Sequence, residues 1–308
     1  MRKNFALIVA ISALVMLLSS SGPVFAHGVN GDFSITGDFN TVPCTVTPST
    51  GGDLWTLLED TCGGISQTSP PMNPTNHNWI EGDYVLVTGK HGSKALFSVG
   101  ELDTKFAPAG TGATLTLDKK GGYDLAGEGR TVQNVCNIDV VKAVPIGKGV
   151  ETVHPFSTLL IVSGEGITPR TYNLTDLEAM TQETFDASSS TTNTKGVWTG
   201  PTLLSVLEAS GIDTRDMNSF LVVSATDGYA TVISMYEATH MTGAQYALLA
   251  IKASDGSING TTSSDSGLAR LILPNDTAAG RWVSNVDQIV VHKLPCKEAC
   301  RPQRHEKE

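Results

Sequence analysis

Asp227 and Glu237 are the first pair of residues that could do chemistry, because paired carboxylates can act as a general acid and a general base. Asp227, however, precedes Gly228, and an Asp-Gly pair between two apolar runs is typical of a tight hairpin turn. We therefore interpret Asp227 as a turn residue. The chain has no Gly-x-Ser-x-Gly elbow and no glycine-rich phosphate loop. The residues assign no catalytic role.

Histidine is the next candidate. Cleavage after Ala26 would make His27 the first residue, and an amino group with its own imidazole can chelate copper if a second histidine joins it. The remaining candidates follow no common motif: His77, His91, His154, His240 and His292. We interpret His27 as the residue that happens to follow a cleavage site, and predict no metal site.

The turn at Asp227 belongs to a stretch that the chain contains twice. Residues 220–237 contain two short apolar runs that flank the turn, which predicts two strands joined by a hairpin. A shift of 136 positions places residues 84–101 on this stretch. The matched pairs are Val87 with Val223, Gly92 with Gly228, Ala95 with Thr231, Ser98 with Ser234, and Glu101 with Glu237.

Two further blocks recur in the same order. Residues 57–59 match residues 206–208 ahead of the hairpins. After the hairpins, one pattern is written twice: Arg130, Val132, Asn134, Val135 and Ile138, then Arg281, Val283, Asn285, Val286 and Ile289. Three blocks in one order predict an internal duplication. Because Arg130 recurs as Arg281, we favour a shared structural role for this arginine, such as pairing with a carboxylate.

Length and composition agree with two exported domains. The 308 residues suit two units of roughly 120–150 residues. Arg2 and Lys3, an apolar run over 5–18 and a small-residue site at 24–26 predict a signal peptide, since the run is shorter than a membrane span. Removing it changes the net charge of the chain from −10 to −12. This net negative charge disfavours nucleic acid and anionic membrane surfaces as partners, and we expect no membrane insertion after cleavage.

The predicted boundaries are a signal peptide at 1–26, a first, shortened repeat at 27–143, a linker at 144–156, a second repeat at 157–294 and a charged tail at 295–308. Helices are expected at 54–62, 174–180 and 203–210, with a helix or turn at 237–242. A single strand is expected over 131–141. The polar stretch 184–195 is left open as a sheet edge or a loop.

All five cysteines follow the predicted cleavage site, where disulfides persist. Cys44–Cys62 and Cys296–Cys300 are candidate bridges, and an odd count leaves one thiol over. The Cys-x3-Cys spacing could instead bind a metal, but no partner pair of His or Cys lies near it in the sequence to complete a zinc site.

The second repeat resembles the molybdopterin-binding domain of the sulfite oxidase family. The resemblance rests on an ordered set of short motifs that covers most of 157–294 and, more faintly, 29–143: Val162-Ser163-Gly164, Leu174-x-x-Leu177, Gly196-x-Trp198-x-Gly200, Ala225-x-Asp227-Gly228-Tyr229, Arg270-Leu271-x-Leu273-Pro274 and Gly280-Arg281-x-Val283. It implies an α+β fold in tandem, mainly β-strands with a few short helices.

The family's enzymes hold molybdenum through the pterin and one cysteine, which lies between the helix at 174–180 and a turn at 196–200. In this chain the interval 181–195 contains no cysteine, and serine is a poor substitute for the soft thiolate that such a metal needs. The n-region also resembles a signal for unfolded secretion, which does not carry a preloaded cofactor. We therefore expect no cofactor, with molybdopterin as the alternative.

The resemblance also places a candidate ligand site in the second repeat. Arg270 and Arg281 lie on strands that the family places near its pterin pocket, and Trp198 and Tyr229 would line the same pocket. Two arginines would favour a small anionic molecule. We interpret the protein as a periplasmic or secreted, non-catalytic binding module. The alternatives are a molybdopterin-dependent oxidoreductase, or a subunit of one, and a scaffold for protein partners that the sequence does not identify.

Overall fold

The computed structural model describes residues 33–37, 39, 44–46, 52–61, 63–65, 82–107, 112–143, 156–188, 195–240, 245–258 and 267–294. These residues form a mainly β protein with a few short helices. We call 33–143 the first half and 156–294 the second half. The predicted signal peptide, His27, the tail and all of the linker except Phe156 lie outside the described residues.

The first half begins with three strands and a helix and ends with the longest strand of its five-stranded sheet. Its elements are β1 (Phe33–Gly37), β2 (Cys44–Val46), β3 (Gly52–Asp53), α1 (Leu54–Thr61), β4 (Asp83–Gly89), β5 (Lys94–Ser98), α2 (Val99–Leu102), β6 (Thr114–Leu117), β7 (Tyr123–Gly127), β8 (Arg130–Val132) and β9 (Val135–Lys142).

The second half has the same plan with additional strands. Its elements are β10 (Leu160–Gly164), β11 (Ile167–Tyr172), α3 (Leu174–Glu178), β12 (Glu183–Ser188), β13 (Lys195–Gly200), α4 (Leu203–Ala209), β14 (Ser219–Ala225), β15 (Ala230–Ser234), α5 (Met235–Thr239), β16 (Leu248–Ala250), β17 (Lys252–Ala253), β18 (Arg270–Ile272), a 3-10 turn at Ala279–Arg281, and β19 (Val286–Lys293).

Each half contains a five-stranded sheet with one strand order. The first sheet runs β2-β1-β9-β4-β5 and the second runs β11-β10-β19-β14-β15. In both, the last strand lies at the centre, parallel to one neighbour and antiparallel to the hairpin strand on its other side. Ile138 pairs with Ile35 and Val87, while Ile289 pairs with Val162 and Val223. Where the hairpin strand pairs with the central strand, the register shifts at a matching place in each sheet, between Thr88 and Gly89 and between Ser224 and Ala225. The β10–β11 pair of the second sheet has a further shift between Val162 and Gly164.

A short helix follows each hairpin because a serine caps it. Ser98 and Glu101 form a capping box at the start of α2: Glu101 N donates to Ser98 Oγ, and Ser98 N donates to the Glu101 carboxylate. In the second half Glu237 N donates to Ser234 Oγ at 3.0 Å. This cap starts α5 at Met235, earlier than the helix or turn that the sequence predicts at 237–242.

Two sequence predictions of local structure are wrong. The strand expected over 131–141 is interrupted between β8 and β9, because Asn134 adopts a positive φ of 50°. Asn285 does the same, with a φ of 55°, before β19. Asparagine tolerates this left-handed conformation better than other residues with a side chain. The turn expected at 196–200 is strand β13, which pairs with β12.

Each half has its own hydrophobic core, and the two sheets also pack against each other. Every residue of β4 is buried, which requires apolar contact on both faces of the sheet. One face covers the core of the first half. The other face meets the second sheet in a cluster formed by Tyr84, Leu86, Leu96, Phe220, Val232 and Leu294. The rings of Tyr84 and Phe220, which occupy matching positions in the two hairpins, lie 4.6 Å apart.

This contact predicts an unequal response to truncation of two strand leucines. Leu96 is 1% exposed between the two sheets and Leu117 is 46% exposed on β6. We expect Leu96→Ala to lower the free energy of unfolding by about 3 kcal/mol, because it opens a cavity between the halves. Leu117→Ala, which loses the same atoms from a strand, should cost less than ~0.5 kcal/mol. Chemical denaturation measures both, and equal losses would contradict the packing described above.

Candidate functional site

The four predicted ligand residues occupy two different environments. Trp198 and Arg270 lie together in the second half, where the Arg270 guanidinium carbon is 5.5 Å from the centre of the Trp198 ring. Arg281 instead extends into the contact between the halves. The Tyr229 hydroxyl donates to the carbonyl of Gly280, the residue before Arg281. Among the described residues, the two arginines that the sequence placed in one pocket share no contact partner.

Arg270 lies on β18 with its charge only partly compensated. Its Nε is buried and has no hydrogen-bond partner. Burial lowers the pKa of Arg270, and the Asp255 carboxylate offsets this only in part. Within the described ranges, Arg270 forms no ion pair. The Arg270 guanidinium lies over the Trp198 ring. The indole of Trp198 is fully buried and donates from Nε1 to the Ala187 carbonyl at 3.2 Å.

The Asp227 carboxylate serves the hairpin turn. It accepts a hydrogen bond from Tyr229 N at 2.9 Å, and Gly228 has a φ of 80°. Asp227 has no contact with Glu237 that would make an acid–base pair. Glu237 is instead buried beside Arg281.

Arg281 is surrounded by partners from both halves. Its Nη2 lies 2.6 Å from Glu237 Oε1 and 2.5 Å from Asp276 Oδ1, and its Nε donates to Asp276 Oδ2 at 3.0 Å. From the opposite half, Ser98 Oγ accepts from Nη1 at 3.3 Å. Asp276 and Glu237 outweigh the opposing effect of burial and hold the pKa of Arg281 well above its usual value.

Arg130 occupies the matching position in the first half. Its Nη2 lies 2.9 Å from Glu101 Oε1, and its Nη1 donates to the Leu96 carbonyl at 2.5 Å. The same Nη1 reaches across to Ser234 Oγ at 3.3 Å. The guanidinium lies between two rings, 3.9 Å from the centre of Phe97 and 4.5 Å from that of Tyr236. Its Nε is buried without a hydrogen-bond partner.

The two arginines therefore make reciprocal contacts. Each pairs with the glutamate of its own half and donates to the capping serine of the other half. The sequence indicated that a carboxylate would pair with the repeated arginine. It did not indicate Asp276 or the exchange of serine partners. The Ser-x-x-Glu spacing, which marks both caps, was the signal that could have located the glutamates.

The reciprocal contacts are not fully symmetric. Ser98 Oγ also donates to Glu237 Oε2 at 3.0 Å, which adds a link between the halves on one side. Burial raises the pKa of Glu237 to about 7, although Arg281 opposes the shift. Burial likewise raises the pKa of Asp276 to about 6, against the effect of Arg281. The second half thus supplies two carboxyl groups to one guanidinium.

Cys136, on β9, is disulfide-bonded. The side chains of the other four cysteines lie outside the described residues. The proposed Cys44–Cys62 and Cys296–Cys300 bridges therefore stay predictions, and at most one of them can exist beside a bond from Cys136 to one of these four residues.

In the residues that the structure describes, no group of three or more His, Cys, Asp or Glu is placed to hold a metal ion. No helix among the same residues is long and apolar enough to cross a membrane.

Comparison with known proteins gives a distant structural likeness. No protein-family model matches the chain, and no curated protein matches it. Among solved structures, the chain is similar to the sulfane dehydrogenase SoxCD from Paracoccus pantotrophus, with 12% sequence identity and a TM-score of 0.36. The match covers 62% of this chain and 49% of the other, so the chain spans about half the length of that protein. A likeness of this size supports no conclusion about activity.

The close approach of Arg281 to α2 predicts the effect of adding one methyl group. A Cβ at Gly100 would lie 2.2 Å from Arg281 Cδ, whereas nothing lies within 4 Å of a Cβ at Gly52. Helix propensity alone would favour Gly100→Ala by about 1 kcal/mol. We expect the opposite sign, a loss of about 2 kcal/mol, because the buried arginine has no room to move.

Thermal or chemical unfolding measures this difference, with Gly52→Ala as the matched control that should change stability little. A stabilising Gly100→Ala would show that Arg281 does not pack against α2 as described.

Proposed function

We propose that the protein is an exported, non-catalytic binding module made of two copies of a sulfite-oxidase-type molybdopterin-binding-like domain, and that its second half binds a small anion at Arg270. The shared strand order of the two sheets, the register shift at the same place in both and the two serine-capped helices support the duplication. The predicted signal peptide supports export.

The observation that carries the proposed ligand class is the incomplete compensation of Arg270. A buried cation is costly unless it is paired and hydrogen-bonded. Arg281 meets this requirement with two carboxylates, whereas Arg270 has the face of Trp198 and a carboxylate beyond ion-pair distance. An anion that accepts hydrogen bonds from the guanidinium would supply what the protein does not.

Arg281, which the sequence placed in the same pocket, is left out of the proposed site. Its Nε and both terminal nitrogens already donate to Asp276, Glu237 and Ser98. A ligand would have to displace an ion pair to reach it, which makes Arg270 the better candidate. Tyr229 is likewise held, through its hydroxyl, by the Gly280 carbonyl.

The residues fit only one end of a molybdopterin. Arg270, with its unpartnered Nε, suits an anionic group such as the phosphate of a pterin. The metal end lacks a soft ligand: the interval 181–195 has no cysteine, and Cys136 is disulfide-bonded. This mismatch supports a binding role over the alternative of a molybdopterin-dependent oxidoreductase or a subunit of one. The sequence offers no positive feature for the third alternative, a protein-binding scaffold.

The proposal predicts that Arg270→Gln removes anion binding while the fold is retained. Inorganic phosphate and sulfate should raise the melting temperature of the wild-type protein, because they bind only the folded state. Arg270→Gln should lose this increase and should match or exceed the wild type in stability without anion, since a poorly compensated charge is gone.

Arg215→Gln is the control, because the Arg215 side chain is 92% exposed and its removal should leave the anion effect intact. If the two variants respond equally to phosphate, the anion does not bind at Arg270. If Arg270→Gln is strongly destabilised without anion, the guanidinium has only a packing role on Trp198.

A second measurement separates the binding module from the enzyme. Protein purified from its native host should contain molybdenum and pterin well below one equivalent per chain, because the metal has no thiolate ligand. Elemental analysis and pterin fluorescence measure the two contents. Stoichiometric molybdenum would make the oxidoreductase interpretation correct.

A further inference from the structure

Five buried charged residues form one connected group across the two halves. We call Glu101, Arg130, Glu237, Asp276 and Arg281 the cross-half cluster. Each is at most 8% exposed, and ion pairs or hydrogen bonds through Ser98 and Ser234 join them. Three carboxylates face two guanidinium groups, so the fully ionised cluster carries one net negative charge. An uncompensated charge in such a place is costly, and the least costly remedy is one proton.

Hydrogen bonding indicates which carboxyl group would take that proton. Arg281 holds both oxygens of Asp276, through Nε and Nη2. Glu101 receives Nη2 of Arg130 on one oxygen and the Ser98 amide on the other. Glu237 receives only Nη2 of Arg281, which Asp276 shares, and the hydroxyl of Ser98. Glu237 is therefore the carboxylate with the weakest cationic compensation.

Neighbouring charges add to this imbalance. Burial raises the pKa of Asp103, which follows α2, and of Glu128, which precedes β8. Glu101 raises the pKa of Glu128 further. Arg281, Glu101 and Asp276 act on Glu237 directly. The charged residues that interact with these neighbours are Asp103, Lys105, Glu128 and Arg130. Lys105 is the only cation among them besides the two arginines, and it lies exposed beside the Phe106 ring.

We propose that Glu237 is a proton-binding site in the contact between the two halves, and that one proton bound there strengthens this contact in mildly acidic solution. The proton neutralises the excess charge. The other oxygen of Glu237 keeps its contact with Arg281 Nη2, and Arg281 Nη1 keeps its bond to Ser98 Oγ of the opposite half, so the link between the halves is retained.

The direction of the pH effect follows from the raised pKa values. Glu237 and Asp276 titrate at about 7 and about 6 in the folded protein, above their ordinary values of 4.5 and 3.8. Between those limits the folded state binds more protons than the unfolded state, so the stability that these two carboxyl groups contribute falls as the pH rises from about 4 to about 8 and does not change above that.

His292, which stacks on Phe220 at the contact between the halves, has the opposite effect on the pH dependence of stability. Its imidazole stacks on Phe220 at 5.1 Å, and burial lowers the pKa of His292 although Glu165 opposes the shift. The folded state disfavours its charged form, so stability from this residue is lost as the pH falls below about 6.5. Measurements on a His292→Gln background remove this contribution.

The test compares unfolding of the full chain at pH 5 and pH 8. On the His292→Gln background we expect the melting temperature to be roughly 5 °C lower at pH 8. Glu237→Gln, which mimics the protonated side chain, should abolish most of this difference by raising the melting temperature at pH 8. Glu183→Gln, an exposed glutamate on β12, should leave it intact. A Glu237→Gln protein that is destabilised equally at both pH values would overturn the proposal.

Two measurements on the wild-type protein keep the proposal open to refutation if a variant fails to fold. The carbon signal of the Glu237 carboxyl group should titrate with a midpoint near 7 in nuclear magnetic resonance, and a midpoint below about 5 would overturn the proposal. Amide hydrogen exchange in residues 94–98 and 230–234 should slow between pH 8 and pH 6 by more than the intrinsic rate change. Exchange that follows the intrinsic rate would contradict a pH-dependent contact.

Discussion

The reciprocal burial of two arginines is the constraint on which the contact between the halves depends. Each arginine can lie there only because a serine-capped helix of its own half presents a glutamate and the serine of the other half accepts a hydrogen bond. Buried ion pairs add little net stability compared with apolar packing, but they penalise every arrangement that leaves one charge unpaired. We infer that the apolar faces of the sheets supply most of the free energy of association, while the cross-half cluster selects one orientation and one register. The absence of a side chain at Gly100 is part of the same constraint, because Arg281 occupies that space.

The two halves have different residues at some matching positions of their contact. Gly100 of α2 leaves room for the Arg281 side chain. The matching position in α5 is Tyr236, whose ring lies against the Arg130 guanidinium. The second half also contributes Asp276 from a segment that reaches the first half, where Thr277 N donates to the Phe106 carbonyl at 2.8 Å. These differences give the two arginines unlike surroundings: one has an aromatic ring on either side, and the other has two carboxylates. Two halves of one chain can differ in this way, because matching positions at their contact can hold different residues.

The sequence predicted the hairpins and the short helices, because local signals encode them. β-Branched runs, an Asp-Gly turn and a capped helix start need no knowledge of distant residues. The break at Asn134 was missed because asparagine only permits a left-handed conformation and does not require it. The burial of all of β4 was missed for a different reason: a continuously apolar strand predicts two covered faces but does not say what covers the second. Asp276 lies in a loop, and nothing in its residue type indicates that the loop returns its carboxylate to Arg281. Tertiary contacts decide the conformation of Asn134, the burial of β4 and the position of Asp276.

Arg270 and Arg281 show how two arginines that the sequence assigned to one site acquire different surroundings. Both follow the motifs of one family resemblance, and sequence alone grouped them in one anion site. In the structure, Arg281 faces two buried carboxylates, and burial, with a further contribution from Glu101, raises the pKa of Glu237 to about 7 although Arg281 opposes the shift. Arg270 forms no ion pair among the described residues, and burial lowers the pKa of Arg270, which the Asp255 carboxylate only partly offsets. Where carboxylates outnumber the guanidinium groups, binding of a proton is favoured. Where a guanidinium lacks a carboxylate partner, binding of an anion is favoured. The balance of charge around each arginine, and not the residue type, therefore separates the contact between the halves from the proposed ligand site.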